Sequence, residues 1–210
     1  MDSYDWAMDA YREGAAFTAF DIETTGLDPK LHRIVELGAV KFDHRGIISR
    51  FSVLIDPGIP MPPEAGRVNK ITDEMLAGKP PIDRVLPDFI RFIGNTILAA
   101  HNAPFDCGFI NENLKSLYEK GRKASPAQSG FFDGPENDAE GAAPWTPPYP
   151  ALPHKIADTL LMARRLFPGL SSYKLGGLAA FLKIDTKDAH RAEDDARVCM
   201  EIFIQCVEKK

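Results

Sequence analysis

The stretch FTAFDIETTG, residues 17–26, decides the fold of this chain. Its first six residues, 17–22, form a short apolar run rich in aromatic side chains, which predicts a buried β-strand. Because side chains at positions i and i+2 of a strand point to the same face, Asp21 and Glu23 project together where that strand ends. Two adjacent carboxylates repel each other unless a cation or a shared proton lies between them. The stretch therefore predicts either a divalent metal site or a proton-sharing pair at the edge of a sheet.

Outside this stretch, strand patterns alternate with helix patterns. Strands are predicted at 34–42, 47–55 and 96–100, helical spacing at 68–76, 81–94 and 104–120, a strand running into a helix at 155–167, and helices at 173–184 and 192–210. This order predicts an α/β fold. Residues 121–150 hold six prolines and four glycines, which is typical of an irregular insertion. We expect residues 1–16 to be an N-terminal extension and residues 17–210 to be one domain that carries the insertion.

Composition and charge exclude several classes of protein. The 210 residues are 44% hydrophobic and 26% charged, which excludes disorder throughout, collagen and a coiled coil. No apolar run approaches the roughly 20 residues of a membrane helix, and the first residues lack a signal peptide, so we expect no membrane contact and a cytoplasmic location.

Cys107, Cys199 and Cys206 form no CxxC pair and are expected to be reduced core residues. A net charge of −5 argues against tight wrapping of nucleic acid, although an enzyme that holds only a strand end remains compatible with it.

A second polar cluster, HNAPFDCGF, covers residues 101–109. The predicted strand at 96–100 ends at His101 and Asn102, and Asp106 falls in the first turn of the next helix. An acid at that position by itself is typical of an ordinary helix start, because it interacts favourably with the helix dipole.

A third cluster, HRAEDDA, covers residues 190–196. Five residues of a helix rotate by about 500°, so His190 and Asp195 would not share a helix face. We therefore place His190 in the loop before the helix, where it can carry a proton, and Asp195 on the second helical turn. The alternatives are a surface histidine and a solvated acid beside Asp194.

Together the three clusters offer four carboxylates and one histidine. Oxygen ligands without thiolates favour Mg²⁺ or Mn²⁺ over structural Zn²⁺. Two such ions about 3.5–4 Å apart can hold the attacking and leaving oxygens of a phosphoryl transfer. A histidine with a pKa near 6.5 can deprotonate the attacking water. These groups would suffice for the hydrolysis of a phosphodiester bond.

DIETTGLD, HNAPFDCGF and HRAEDDA, in this order, resemble the three motifs of the DEDDh family of DnaQ-like 3'→5' exonucleases, which includes the proofreading epsilon subunits of bacterial DNA polymerase III. The resemblance covers about residues 17–208 apart from the insertion. It implies a ribonuclease H-like fold, with a five-stranded mixed sheet flanked by helices. It also implies removal of nucleoside monophosphates from a 3' end with two divalent metal ions, Mg²⁺ or Mn²⁺.

The resemblance also assigns roles to individual residues. It implies four metal ligands, Asp21, Glu23, Asp106 and Asp195, and a general base, His190. The family spacing H-x-A-x-x-D-A selects Asp195 over Asp194. It implies contacts with the terminal nucleotide for Thr24, Gly26, Leu27, Ile71, His101 and Asn102. In this assignment Leu27 and Ile71 form an apolar platform for a base of any identity.

Other polar residues are interpreted more simply. Glu36 is taken as structural, and Asp158 is taken as a helix cap, a position that aspartate suits well. Four basic residues form either a mild basic patch toward the substrate strand or scattered surface charge: Lys155, Arg164, Arg165 and Lys174.

The resulting expectation is a 3'→5' exonuclease that acts on single-stranded DNA ends, as a proofreading subunit or as a free-standing enzyme. The alternatives are an exoribonuclease with the same chemistry and a non-catalytic module that binds a polymerase. A polymerase subunit is one expected partner. QSGFF, residues 128–132, is faintly similar to the glutamine-to-aromatic pattern of sliding-clamp ligands, which makes a sliding clamp another partner to consider. Because the sequence stops at Lys210, we expect no polymerase-binding tail of its own.

Overall fold

A five-stranded mixed sheet, with the strand order β3-β2-β1-β4-β5, organises the molecule. The computed structural model describes residues 4–124, 145–186 and 191–210, so the sequence at 128–132 lies outside the described residues. The strands are β1 (Phe17–Thr24), β2 (Ile34–Asp43), β3 (Gly46–Leu54), β4 (Ile97–Ala100) and β5 (Ile156–Asp158). β1 to β3 form an antiparallel meander, whereas β4 runs parallel to β1 and β5 runs parallel to β4. The predicted sheet is thereby confirmed.

Eight helices are found in the described ranges. They are α1 (Asp5–Arg12), α2 (Pro63–Asn69), α3 (Asp73–Leu76), α4 (Ile82–Ile93), α5 (Ala103–Ala124), α6 (Thr159–Leu166), α7 (Leu175–Leu182) and α8 (Ala192–Lys209). The first of them lies within the predicted extension, where Ala7, Met8 and Tyr11 are buried and the Tyr11 ring lies 5.5 Å from that of Phe203 on α8. None of the described helices is both long enough and apolar enough to cross a membrane.

Alternation along β1 assigns its side chains to two cores. Phe17 and Ala19 face a core that contains α8, whereas Phe20 and Ile22 face a core built from α4 and α5. Because successive side chains point to opposite faces, the odd-numbered positions that follow Ala19 also face α8. The carboxylates at positions 21 and 23 therefore lie on the side of the sheet that α8 covers.

Gly38 on β2 allows α8 to approach the sheet closely. A Cβ atom at this position would lie 2.1 Å from the carbonyl carbon of Ala192 and from the nitrogen of Glu193. Gly38 also pairs with Asp21 in the β1–β2 register. The first turn of α8 is therefore seated directly beside Asp21, which only a residue without a side chain at position 38 permits.

The three cysteines are unpaired and buried, as predicted. Burial raises the pKa of the Cys107 and Cys206 thiols to about 12. Both thiols therefore stay protonated and pack as small apolar side chains at neutral pH.

Candidate active site

Three of the predicted acids meet at the end of β1. One carboxylate oxygen from each of Asp21, Glu23 and Asp195 lies within 4.8 Å of the other two. Strand alternation brings the first two together, and the close seating of α8 on Gly38 brings the third. Asp195 lies in the first turn of α8, one turn earlier than expected, because the helix begins at Ala192. Three carboxylate oxygens at this spacing match the type of ligand that a hard divalent cation prefers.

The fourth predicted acid, Asp106, lies next to this group but is not part of it. Asp106 is 2% exposed in the first turn of α5, where its carboxyl hydrogen-bonds the backbone of Ile22 on β1. Its charge acts on Asp21 and is the largest charge contribution to the raised pKa of that residue. Asp106 therefore faces the cluster from the opposite helix layer.

The electrostatics of the cluster require a positive partner or protons. Burial, followed by the charges of the neighbouring carboxylates, raises the pKa of Asp21 well above its usual range. Burial and the Asp195 charge raise the pKa of Glu23 to about 8, and burial raises that of Asp106 to about 8. Such shifts mean that the carboxylates are costly to ionise together. A bound divalent cation would remove that cost, and the all-oxygen donor set suits Mg²⁺ or Mn²⁺.

Glu36 links the cluster to the start of α8. It pairs with Glu23 in the β1–β2 register and is fully buried. Its carboxylate accepts hydrogen bonds from Arg191 Nε at 3.0 and 3.1 Å, from Arg191 Nη2 at 2.7 Å and from the Ala192 backbone N–H at 3.2 Å. The structural role predicted for Glu36 is confirmed, and its specific task is to anchor the residues that precede Asp195. A glutamate inside an otherwise apolar strand was the available sequence signal.

Sequence analysis missed Asn69, which is 2% exposed at the end of α2. Its Nδ2 donates to the Thr24 carbonyl at 3.3 Å, and its Oδ1 accepts from the Ile71 N–H at 3.1 Å. Asn69 also hydrogen-bonds the Glu23 side chain, which lowers the pKa of Glu23 against the larger effect of burial. No motif marks an asparagine that acts across 45 residues of sequence.

The turn after β1 is held by its two threonines. Thr24 Oγ1 donates to the Gly26 carbonyl at 2.6 Å, and Thr25 Oγ1 accepts from the Arg33 N–H at 2.9 Å. Leu27 follows this turn and is 82% exposed. An apolar side chain is thus presented to solvent beside the acids, on a turn whose shape is fixed.

Ile71 does not share that exposure. It is 1% exposed and packs in a small core with Val35 and Leu76. In this conformation its side chain is not available to a base, and of the predicted apolar pair the structure presents only Leu27. The residue was selected by its place in the motif, which carries no information about burial.

His101 and Asn102 follow β4. His101 Nε2 donates to the Tyr173 carbonyl at 2.8 Å, its Nδ1 lies 2.9 Å from Thr159 Oγ1, and burial lowers its pKa. The ring is therefore neutral at pH 7 and joins β4 to the segment before α7. Asn102 has a φ of +69°, which asparagine tolerates better than most residues.

Asp158 fixes the backbone around Asn102. Its carboxylate accepts from the Leu160 N–H at 2.9 Å as the N-cap of α6, which confirms the predicted cap. The same carboxylate accepts from the Asn102 N–H at 3.3 Å and the Ala103 N–H at 3.1 Å. One buried aspartate thus orients the starts of α5 and α6.

His190, the predicted general base, lies outside the described residues, which resume at Arg191.

Comparison with known proteins agrees with this geometry. The RNase_T exonuclease model matches residues 18–138 and 144–203. The chain is 45% identical to the DNA polymerase III subunit epsilon of Treponema pallidum, over 95% of this chain and 80% of that protein. It is 36% identical to a PolC-type DNA polymerase III of Clostridium perfringens, over 89% of this chain but only 11% of that protein.

Among solved structures, Exonuclease X in complex with 5' overhanging duplex DNA superposes with a TM-score of 0.64 and 25% identity, over 91% of each chain. The predicted ribonuclease H-like fold is thereby confirmed.

Proposed function

Because the chain belongs to the exonuclease family, and is therefore a nuclease that hydrolyses phosphodiester bonds, we propose that it removes nucleotides from the 3' end of single-stranded DNA. The observation that carries the proposal is the meeting of Asp21, Glu23 and Asp195, whose oxygens lie within 4.8 Å of one another. These acids come from a strand end and a helix, and Asp195 lies 172 or more residues after the other two in sequence. A non-catalytic binding module would not require such a costly concentration of carboxylates.

The acids are the proposed metal ligands. Asp21, Glu23 and Asp195 supply oxygens to one shared position, and Asp106 extends the set from α5. Two divalent ions, Mg²⁺ or Mn²⁺, would stabilise the charge that develops on the scissile phosphate and its leaving oxygen. The protein's own part is to hold these oxygens in place, through the strand register at Gly38 and the anchor at Glu36. His190 is the proposed base that removes the proton from the attacking water.

The terminal nucleotide is proposed to lie against the turn after β1. Leu27, exposed and apolar, offers a surface to a base without reading its identity. Thr24 and Gly26 form the turn, closed by the hydrogen bond from the Thr24 hydroxyl to the Gly26 carbonyl, that is proposed to contact a phosphate or ribose. The Ile71 backbone N–H donates to Asn69, and Asn69 donates to the Thr24 carbonyl, so Ile71 stabilises this turn indirectly. Asn102, at the neighbouring strand end, is the proposed contact from the second motif.

DNA is the proposed substrate and a DNA polymerase subunit is the proposed partner. The relative from Treponema pallidum is named as a subunit of DNA polymerase III, and Exonuclease X was solved with DNA. These names support a proofreading role or a free-standing role in DNA processing. A contact with the 2'-hydroxyl would be enough for the chain to distinguish RNA from DNA, so the test below compares the two substrates directly.

The test uses the purified chain with single-stranded DNA and RNA of matched sequence. Each is labelled at the 5' end in one set and at the 3' end in another, with Mn²⁺ or with EDTA. We expect a ladder from 5'-labelled DNA and immediate loss of label from 3'-labelled DNA, both abolished by EDTA and by Asp21→Asn. Faster cleavage of RNA would replace the proposed substrate by RNA. Cleavage that persists in EDTA would overturn the metal assignment.

A further inference from the structure

A hollow of about 600 Å³ lies at the carboxyl ends of β4 and β5. Among the residues that line it are His101, Asn102, Arg164, Ser172 and Lys174. Because β4 runs parallel to β1, this hollow opens at the same edge of the sheet as the cluster of Asp21, Glu23 and Asp195. The residues that line it follow β4 and β5 in the chain, whereas the turn after β1 follows the strand that carries Asp21 and Glu23.

The hollow is cationic in a chain whose net charge is −5. Arg164 and Lys174 are exposed, and within the described ranges neither forms an ion pair. The other two members of the predicted basic patch point elsewhere. Arg165 Nη1 donates to Asp5 Oδ1 at 2.9 Å, and Lys155 Nζ lies 5.2 Å from the Trp6 ring centre. The structure thus divides the patch into two cations that line the hollow and two that do not.

Contacts made by Tyr173 hold the backbone near Lys174 and the side chain of Arg164 in place. The hydrogen bond from His101 Nε2 to the Tyr173 carbonyl ties the residue before Lys174 to the end of β4. The Arg164 guanidinium lies 5.8 Å from the centre of the Tyr173 ring. The hydroxyl of Tyr173 donates to the Phe167 carbonyl at 2.8 Å, so the ring itself is fixed. Both positive charges therefore face a hollow of defined shape.

One nucleic-acid strand can contact both the acid cluster and the hollow. Asn102 lines the hollow, and Asp106 lies four residues further along the chain, in the first turn of α5. A strand whose last phosphodiester lies at the acids must carry its earlier phosphates away from them, because carboxylates repel phosphates. Arg164 and Lys174 are the positive charges on this flank that can receive those phosphates.

We propose that this hollow is a binding subsite for the phosphodiester backbone of the substrate strand, upstream of the bond that is cut. Arg164 and Lys174 bind phosphate oxygens, and Ser172 supplies a hydrogen bond. The subsite reads no base sequence, and it favours strands long enough to reach it over the shortest ones. The inference rests on the proposed function, since it assigns the path of that substrate.

The experiment compares Arg164→Ala/Lys174→Ala with the unsubstituted chain and with Arg165→Ala as the matched control. The substrates are dT12 and the dinucleotide dT2, with Mn²⁺ over a range of NaCl concentrations. We expect the double variant to show a several-fold higher KM for dT12 with kcat retained, and unchanged kinetics for dT2. The slope of log KM against log salt should fall by about 0.7 for each lost phosphate contact, so by about 1.4 in all.

The binding of 5'-labelled dT12, followed by fluorescence anisotropy in Ca²⁺, measures the same salt slope without turnover. A slope equal to that of the unsubstituted chain would overturn the subsite, and so would an equal loss in Arg165→Ala. An equal loss of activity on dT2 would place the two cations at the reacting centre instead. Absence of any cleavage by the unsubstituted chain would contradict the proposed function, whereas the anisotropy slopes would still decide the subsite.

Discussion

Glu36, fully buried on β2, holds the guanidinium of Arg191 through Nε and Nη2, although 155 residues separate them in sequence. The same carboxylate accepts the N–H of Ala192, the first residue of α8. Since Asp195 lies in the first turn of that helix, the position of one proposed metal ligand depends on a residue that does not contact the metal position. Residues that orient ligands in this way contribute strongly to metal affinity and activity.

Glu36→Gln should therefore impair metal use more than folding. The amide keeps the size of the side chain but cannot accept all of these hydrogen bonds, so activity should fall by about 10–100-fold, with a higher Mn²⁺ requirement. Stability should fall by about 1–3 kcal/mol. Activity measured against Mn²⁺ concentration, together with urea unfolding, checks both. Glu193→Gln, which removes only the surface pair with Arg50, is the matched control and should leave Mn²⁺ dependence unchanged. Equal Mn²⁺ curves for all three proteins would show that the anchor has no part in metal binding.

Gly38→Ala should displace α8 from the sheet. The added methyl group would lie 2.1 Å from the Ala192 and Glu193 backbone, which cannot move without shifting Asp195. We expect a loss of about 1–3 kcal/mol in the free energy of unfolding, together with a loss of activity. Gly176→Ala on α7, where no atom lies within 4 Å of the new methyl, should instead be neutral or stabilising. Thermal melting of both variants checks the contrast, and a Gly38→Ala melt equal to that of the unsubstituted chain would contradict the close seating.

Asp195 rather than Asp194 should be essential for hydrolysis. Asp195 lies in the acid cluster, whereas Asp194 pairs with Arg197 at 2.8 Å. We expect Asp195→Asn to reduce cleavage of single-stranded DNA by more than about 100-fold, since a ligand matters more than the residues that orient it. Asp194→Asn should keep most of its activity. Circular dichroism establishes that both variants are folded, and the reverse order of activities would exchange the two assignments.

Stability without metal should decrease as the pH rises. In the folded chain the pKa of Glu23 is raised from 4.5 to about 8 and that of Asp106 from 3.8 to about 8. At pH values between the ordinary pKa of each carboxyl group in the unfolded chain and its raised pKa in the folded chain, the folded state holds protons that the unfolded state has released. The free energy of unfolding therefore falls as the pH increases through this window. It is greatest at the acidic end and lowest above about pH 8.

Melting temperatures in EDTA at pH 5 and pH 8 measure this effect. The Mn²⁺-induced rise in Tm should be larger at pH 8, because the cation then compensates carboxylates that have lost their protons. Glu23→Gln should flatten the decline in EDTA, since it removes one titrating group and keeps its shape. A decline of the same size in Glu23→Gln would mean that the titration of Glu23 does not contribute to it.

His190→Ala should lower the rate and change its pH dependence. A histidine that acts as a general base makes kcat/KM fall toward acidic pH, because the protonated imidazole cannot accept the proton of the attacking water. The variant should lose about 100-fold or more at neutral pH, with a flatter profile. His44→Ala, at the exposed β2–β3 turn, is the control. A profile in His190→Ala that still falls toward acidic pH would assign the base to another group.

The local sequence was sufficient for the strands, for most of the helices after residue 16 and for the kind of chemistry. The apolar run at the start of β1 predicted the strand, and the period of two placed Asp21 and Glu23 on one face. Asp158 before Thr159 predicted the N-cap of α6. These features depend on neighbours within a few residues, which a sequence displays directly.

The tertiary structure decided which distant residues meet. It seated α8 on Gly38 and beside Asp21, gave Glu36 its partner in Arg191, and buried Ile71, which the motif had suggested as a platform for a base. These outcomes depend on strand register and on the packing of helices over the sheet. Sequence motifs specify the residues that a reaction needs, but burial and long-range contacts arise only when the whole chain competes for the same core.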